Sequence, residues 1–173
     1  MERLVDNPDI AVVCDAIIDR YHAGLQEALP RIRDAMASVS ATAASPELEL
    51  LRVAFDELAE QIAYHLAKEE HLLFPAFAAL SAADRAGGYR PAMAFVTVLH
   101  PIRAMEADHV RIEKTLDRLR ELARAVIEPD APTGSWRRCL AELTALDAEL
   151  RADHRTENEI LFPRALELER RLL

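Results

Sequence analysis

The sequence predicts an all-α protein that folds as an antiparallel, up-down four-helix bundle. Helix-forming Ala, Leu, Glu and Arg dominate the composition, and the chain of 173 residues contains only four glycines. Apolar residues recur at spacings of three and four through four long segments, whereas no segment alternates with the period of a strand. The connections between these segments are modest, which favours antiparallel neighbours. We expect a single domain over residues 1–173.

The first two helices are predicted from a polar cap followed by a proline. The first should begin at Asn7-Pro8-Asp9, bend at Pro30 and fray over residues 38–45. The second should begin at Ser45-Pro46-Glu47. Their core-facing stripes comprise Val13, Ile17, Tyr21, Leu25, Leu29 and Ile32 in the first helix, and Leu51, Phe55, Leu58, Ile62, His65, Glu69, Leu72 and Ala76 in the second.

The longest connection is predicted at residues 80–89, which include Gly87-Gly88. Residues 91–99 are interpreted as a short helical lead-in, with the third long helix starting at Pro101. A turn at residues 129–134 precedes the fourth helix, which Thr133 or Ser135 should cap. The remaining stripes comprise Ile102, Met105, His109, Ile112, Leu116, Leu119 and Leu122, and Leu140, Leu143, Leu146, Leu150, Glu157 and Leu161.

Composition excludes several classes of function. The net charge of −9 argues against nucleic acid as a partner, because phosphate binding needs a basic face. No run approaches the roughly 18–20 apolar residues of a membrane span. The amino terminus lacks the layout of a signal peptide, so we expect a cytoplasmic protein. Cys14 and Cys139 are too few for a disulfide framework and are interpreted as core residues.

Two similar stretches carry the candidate chemistry. In residues 65–75, His65 lies four positions before Glu69 and a Leu-Phe-Pro run follows. In residues 153–163, Glu157 is preceded by Asp153 at four positions and by His154 at three, and Leu-Phe-Pro follows again. Positions i and i+3 or i+4 share a helix face. Each stretch can therefore direct a nitrogen or oxygen donor and a carboxylate at one metal ion, as helical bundles do.

His22 and His109 add an imidazole to the first and third helices, so that each of the four helices contributes one. Imidazole and carboxylate donors without a thiolate suit iron or manganese, and zinc is compatible. The register of the first stretch favours Asp153 as the donor on the fourth helix, whereas the apolar stripe favours His154. We take His154 as the ligand, since neutral imidazole is the commoner one, and keep Asp153 as a ligand or an orienting residue.

Three further residues are interpreted as lying outside the donor set. Glu113, one turn after His109, should be a solvated or ion-paired carboxylate. His71 falls on the opposite face from Glu69 and should be solvated. His100 precedes Pro101 at a helix start and should act as a local cap or hold another ligand in place.

Four pieces of the sequence together resemble a known family. The chain resembles the hemerythrin-like, or HHE cation-binding, domain proteins, and it is similar to the branch associated with repair of iron–sulfur centres under nitrosative and oxidative stress. The pieces run in the family's order over nearly the whole chain. They are Arg20-Tyr21-His22 with Leu29-Pro30; His65, Glu69 and Glu70 with Leu73-Phe74-Pro75; Pro101, Ile102, Arg103, Met105, Glu106, Asp108 and His109; and Glu157-Asn158 with Ile160-Leu161-Phe162-Pro163-Arg164.

This resemblance implies a non-haem di-iron site in a hemerythrin-like bundle, with open coordination for O2, NO or peroxide. Carried over by position, the family's ligands fall on His22, His65, His109 and two bridging carboxylates, Glu69 and Glu157.

The chain departs from the repair branch in three respects. It has no histidine near the end of the first helix, Asp153 stands where a ligand histidine is expected, and this sequence does not contain the branch's cysteine-containing amino-terminal region. We therefore expect a stress-response protein that binds or senses a diatomic ligand or peroxide, rather than a turnover enzyme. The alternatives are an iron–sulfur cluster repair or peroxide-detoxifying protein, whose partners would be an iron–sulfur protein or a redox partner, and a metal-poor helical interaction module.

Overall fold

The structure, a computed structural model, describes residues 9–41, 45–126 and 134–173 and confirms the all-α bundle. No strand occurs among these residues. Three of the four long helices contain one five-residue π turn. Helix α1 comprises Ile10–Ile17, a π turn at Ile18–His22 and Ala23–Ser40; α2 comprises Pro46–Lys68, a π turn at Glu69–Leu73 and Phe74–Arg85; α3 is Leu99–Ala125; α4 comprises Gly134–Thr156, a π turn at Glu157–Leu161 and Phe162–Arg171.

Side-chain caps begin α1 and α2 as predicted. The Asp9 carboxylate accepts a hydrogen bond from the Ala11 N–H at 3.0 Å, and the Ser45 hydroxyl accepts one from the Leu48 N–H at 3.1 Å. Each cap satisfies a backbone donor that has no partner inside its helix.

Other predicted helix ends fall on or beside undescribed residues. Asn7, Pro8, Thr133 and most of the turn at residues 129–134 lie outside the described part of the chain. Ser135 lies inside the first turn of α4, which starts at Gly134. Within the predicted fraying region, α1 remains helical to Ser40.

The predicted connection between α2 and α3 is wrong at both ends. Helix α2 continues to Arg85, and Gly87, with φ of 62°, ends it in a left-handed conformation that suits glycine. Residues 91–98 form no helix, and α3 begins at Leu99. Pro101 therefore lies within the first turn of α3, where a missing N–H breaks no helical hydrogen bond.

A buried carboxylate holds this connection against the end of α4. Glu169 accepts hydrogen bonds from Arg90 Nε at 2.7 Å, from the Thr97 hydroxyl at 2.6 Å and from the Val98 N–H at 3.1 Å. Burial by itself would raise the pKa of Glu169, but these hydrogen bonds outweigh it and hold the pKa below its usual range. The ionised carboxylate thus fixes the start of α3.

Two apolar clusters fill the bundle, one towards each end. In every helix the polar candidate residues lie between members of the two clusters, so that a polar layer separates them. Cys14 and Cys139 are buried free thiols within these clusters, as predicted. Representative members are Leu25, Phe55, Leu116 and Leu146 on one side of the layer, and Ile17, Phe77, Ile102 and Phe162 on the other.

The π turns shift the register of the helices beside the polar layer. The Phe74 N–H bonds to the carbonyl of Glu69, five residues back, and this adds one residue to the turn. The predicted stripe places Leu72 in the core, but Leu72 is 43% exposed and Leu73 is buried instead. An uninterrupted α-helix rotates about 100° per residue, so the extra residue brings Leu73 onto the core-facing side.

We expect Glu169→Ala to lower the free energy of unfolding by about 2–3 kcal/mol, because it leaves buried donors without an acceptor. Urea denaturation measures the change. Glu167→Ala is the control, since Glu167 is exposed and pairs only with Arg170 at the surface, where ion pairs contribute little. Equal effects of the two substitutions would contradict the proposed role of Glu169.

Candidate metal centre

The structure brings all seven predicted donor residues into one buried cluster in the polar layer. No member is more than 2% exposed, although all seven side chains are polar or charged. Each of the four helices contributes at least one of them: His22 from α1, His65 and Glu69 from α2, His109 from α3, and Asp153, His154 and Glu157 from α4.

The donors fall into two groups of different chemistry. His65, His109 and His154 form a group whose nitrogens lie within 4.8 Å of one another, which we call the imidazole group. His22 and Asp153 form a second group together with Glu157, within the same limit, which we call the carboxylate group. His154 and Asp153, the two alternative donors on the fourth helix, therefore both belong to the cluster. His154 lies in the imidazole group and Asp153 in the carboxylate group.

Two carboxylates connect the groups, since Glu69 and Glu157 also lie within 4.8 Å of His65 and His109. One oxygen of Glu69 is 3.4 Å from His65 Nε2, and its other oxygen is 3.6 Å from His22 Nε2. Glu157 belongs to the carboxylate group, yet its Oε2 is 3.1 Å from His109 Nε2. Each carboxylate thus faces both groups, which is the placement that a bridging ligand requires.

The three π turns coincide with the cluster. His22 ends the turn in α1, whereas Glu69 and Glu157 begin the turns in α2 and α4. A π turn is rare in helices and is frequent at functional sites. Pro75 and Pro163 are the second residues after the last two turns and lie in the first turn of the continuing α-helix, where proline is tolerated.

Three of the four imidazoles have a hydrogen-bond partner at Nδ1, on the outer side of the cluster. Nδ1 of His22 lies 2.9 Å from Glu70 Oε1, and Nδ1 of His154 lies 3.1 Å from Glu113 Oε1. A carboxylate only accepts, so these imidazoles carry their proton on Nδ1 and direct the Nε2 lone pair into the cluster. Such partners fix the ring orientation of metal-binding histidines.

His109 and His65 differ in their outer partners. His109 Nδ1 lies 3.1 Å from Asn158 Oδ1, an amide oxygen that accepts a hydrogen bond from the ring N–H. His65 Nδ1 has no hydrogen bond in the described structure and lies 4.0 Å from Asp108, which pairs with Lys68.

Glu70 and Asn158 are two functional residues that were not predicted from the sequence. Both directly follow the central glutamates of the two similar stretches, and each reaches a histidine of a neighbouring helix. This shared position was the signal available in the sequence. Glu113 is ion-paired as predicted, with Arg151 Nη1 at 3.3 Å, and it also holds His154.

His71 and His100 lie outside the cluster, and both are exposed. The predicted solvation of His71 is therefore confirmed. His100 is the second residue of α3 and contributes no atom to the donor groups among the described residues.

Burial keeps the imidazoles neutral. Loss of solvation, followed by repulsion from neighbouring histidines, lowers the pKa of His65 to about 2 and that of His154 to about 2. Burial also lowers the pKa of His109 to about 4, although its contact with Asn158 opposes the shift. Neutral imidazole is the form that binds a metal ion.

Burial has the opposite effect on the carboxyl groups. Desolvation, followed by repulsion from Glu157 and Asp153, raises the pKa of Glu69 well above its usual value. Desolvation, followed by repulsion from Glu157 and Glu149, does the same to Asp153. Desolvation raises the pKa of Glu157 from 4.5 to about 8. A bound cation would reverse these shifts by stabilising the ionised carboxylates.

The unpartnered atoms of the cluster test whether these residues fit a metal ion. In the described chain, every buried side-chain nitrogen or oxygen without a hydrogen bond belongs to a cluster residue. An unsatisfied buried polar atom costs about 1–3 kcal/mol, and more when it is charged. The donor set of imidazole nitrogens and carboxylate oxygens fits iron, manganese or zinc. The atoms are Nε2 of His22 and His154, Nδ1 of His65, and both oxygens of Glu69, Asp153 and Glu157.

A four-helix bundle whose helices all direct imidazole or carboxylate donors into its core has the architecture of a metal-binding bundle. Comparison with known families agrees: the Hemerythrin HHE cation binding domain matches residues 15–94 and 100–171. The chain belongs to this family, and hemerythrin-like domains imply non-haem iron.

Curated relatives include two bacterial proteins named iron-sulfur cluster repair protein YtfE. They come from Yersinia pestis (strain Pestoides F) and Yersinia pseudotuberculosis serotype O:1b (strain IP 31758), and each is 27% identical to this chain over 152 residues. The match covers 87% of this chain but only 63% of each relative. Among the described helices, none combines the length and the apolar character needed to cross a membrane.

The raised pKa of Glu157 predicts how pH affects the metal-free protein. Its folded pKa of about 8 exceeds the usual 4.5, so its stabilising contribution is complete below pH 4.5 and is lost as pH rises through 8. The pKa values of His65 and His154 are lowered from 6.5, so the contribution of these neutral imidazoles to the free energy of unfolding is complete above pH 6.5 and is constant there. Between pH 6.5 and 8 we therefore expect the free energy of unfolding of metal-free protein to fall.

Urea denaturation in the presence of a chelator measures this slope. We expect Glu157→Gln to flatten it, since an amide cannot ionise, and we expect Glu167→Gln, an exposed control, to leave it unchanged. A slope that is the same in wild type and Glu157→Gln would contradict the assignment.

Proposed function

We propose that this protein is a non-haem di-iron protein that binds or senses O2, NO or peroxide. The observation that carries the proposal is the division of one buried donor cluster into two groups with two carboxylates between them. In this proposal, His65, His109 and His154 would hold one iron, and His22 and Asp153 would hold the other. Glu69 and Glu157, which face both groups, would be shared between them.

Bound non-haem iron would supply reversible redox chemistry and affinity for small diatomic ligands. The protein's own residues would hold, orient and shield it. Phe74 stacks on His22 with ring centroids 5.7 Å apart, and Phe162 stacks on His109 at 5.9 Å. These rings belong to one of the two apolar clusters and cover the donor residues on that side, where they would exclude water and large substrates.

The outer acceptors would hold the ligands in the binding tautomer. Glu70 and Glu113 keep a proton on Nδ1 of His22 and His154, which leaves each Nε2 free to bind. On binding, Glu69, Asp153 and Glu157 would release their protons, so we expect iron affinity to rise with pH.

A second candidate function is repair of iron–sulfur clusters, and the names of the relatives favour it. In that case the cluster would store iron for a damaged iron–sulfur protein. The metal-poor interaction module is opposed by the unpartnered buried atoms, which would persist at a cost without a metal ion. For either function we propose a cytoplasmic setting, which suits two buried free thiols.

We expect wild-type protein from iron-replete cells to contain about two iron ions per chain and to absorb in the near ultraviolet. Asp153→Ala should retain about one ion, because it removes a donor from the carboxylate group alone. Elemental analysis and absorption spectra measure both properties, and addition of NO without air should change the spectrum. His71→Ala is the matched control. Two ions retained in Asp153→Ala would contradict the two-group assignment.

Reactivation of a damaged iron–sulfur enzyme tests the repair candidate. If repair is the function, iron-loaded protein at stoichiometric amounts should restore activity, whereas His65→Ala, which lacks a ligand, should not. Free Fe2+ at the same concentration is the control. Equal recovery with free Fe2+ and with loaded protein would exclude repair and leave ligand binding as the proposed function.

A further inference from the structure

A carboxylate outside the donor cluster lies beside its carboxylate group. Glu149 is one turn before Asp153 on α4, and residues four apart share a helix face. Glu149 is half-buried, whereas Asp153 is 0% exposed. The two carboxyl groups are close enough to repel each other electrostatically, and Glu149 is the one that solvent reaches.

The seam between α1 and α4 places Glu149 next to the cluster. Contacts along this seam run antiparallel, so that residues later in α1 meet residues earlier in α4. In order they are Tyr21 with Thr156 at 3.3 Å, His22 with Asp153 at 3.9 Å, Gly24 with Glu149, and Arg31 with Glu142 at 3.5 Å.

Gly24 makes room for the Glu149 carboxylate. A Cβ atom at position 24 would lie 2.5 Å from Glu149 Oε1 and 3.3 Å from its Cδ. Any side chain larger than hydrogen would therefore displace this carboxylate from the seam. The glycine is costly inside a helix, so its presence calls for a local reason such as this close approach.

Within the described residues, Glu149 has no hydrogen-bond donor and no ion-pair partner. The cation that acts on it electrostatically is Arg31, which itself pairs with Glu27 and Glu142. A half-buried carboxylate without a fixed partner remains available to a cation. Behind it, both oxygens of Asp153 are also unpartnered.

We propose that Glu149 is a transit ligand through which Fe2+ passes between solvent and the His22–Asp153 group. A divalent iron ion accepts oxygen and imidazole donors, and the partly exposed Glu149 carboxylate can replace part of its hydration shell before the ion reaches Asp153. The inference rests on the proposed function, because it requires an iron ion in the carboxylate group.

Kinetics of iron uptake and removal test this role. Fe2+ is mixed anaerobically with metal-free protein, and a ferrous chelator is mixed with loaded protein, each followed by absorbance. If the two donor groups load in separate phases, Glu149→Gln should slow the phase of the carboxylate group by about fivefold or more, while the final iron content stays at two per chain. Glu167→Gln is the control, since it removes the same charge from an exposed position of α4 that pairs with Arg170 rather than with Arg31, and it should leave both phases unchanged.

Gly24→Ala provides an independent test, because we expect it to stabilise the fold and yet to slow iron uptake. Alanine should raise the thermal unfolding midpoint by about 2–5 °C, because it favours the helix. It should nevertheless slow the same phase, because the methyl group displaces the Glu149 carboxylate. A general loss of structure would lower the midpoint and so is distinguished from a transit effect.

The outcomes separate the two proposals. Normal iron content with unchanged phases in Glu149→Gln and Gly24→Ala would overturn the transit role and leave the di-iron proposal intact. A slowed phase in both variants, with normal content, would support the transit role. Wild-type protein that binds no iron would overturn the proposed function and the transit role with it.

Discussion

The fold is organised around the burial of seven polar donor groups between two apolar clusters. Four imidazoles and three carboxyl groups occupy one layer of the bundle, and none is more than 2% exposed. Such burial is unfavourable unless each polar atom has a partner. Outer hydrogen bonds satisfy Nδ1 of His22, His109 and His154, whereas most inward-facing atoms lack a partner in the protein. A bound cation would supply these atoms with a partner and would thereby couple the stability of the bundle to the occupancy of the centre.

The π turns adapt helical geometry to this layer. A regular helix repeats every 3.6 residues, so consecutive spacings of four drift away from one face. Glu69, Leu73 and Phe77 are spaced by four, and all three are buried because the extra residue of the π turn absorbs the drift. Glu157 and Leu161 keep the same relation in α4. The turns therefore let α2 and α4 present a donor and then an apolar residue to the same interior.

The two donor groups are unequal, and this inequality bears on function. Three imidazoles meet at one group, whereas a single imidazole and Asp153 meet at the other. Carboxylate ligands suit harder cations than imidazole ligands do. If both groups hold iron, the two ions would therefore differ in their surroundings, and the ion beside Asp153 would lie on the side of the half-buried Glu149.

The sequence by itself determined the helical class, the apolar stripes and the candidate donors, because helical periodicity and ligand spacing are local properties. It did not determine which donors share a group. Neighbouring positions such as Asp153 and His154 point about 100° apart on a helix, and only the packing of the four helices places both side chains beside donors from other helices. Nor did it place Glu70, Asn158 and Glu113 as partners of histidines on other helices, since those contacts depend on interhelical register. The carboxyl-terminal end of α2 and the burial of Leu73 rather than Leu72 were likewise decided by tertiary structure, because π turns respond to the packing of the whole bundle.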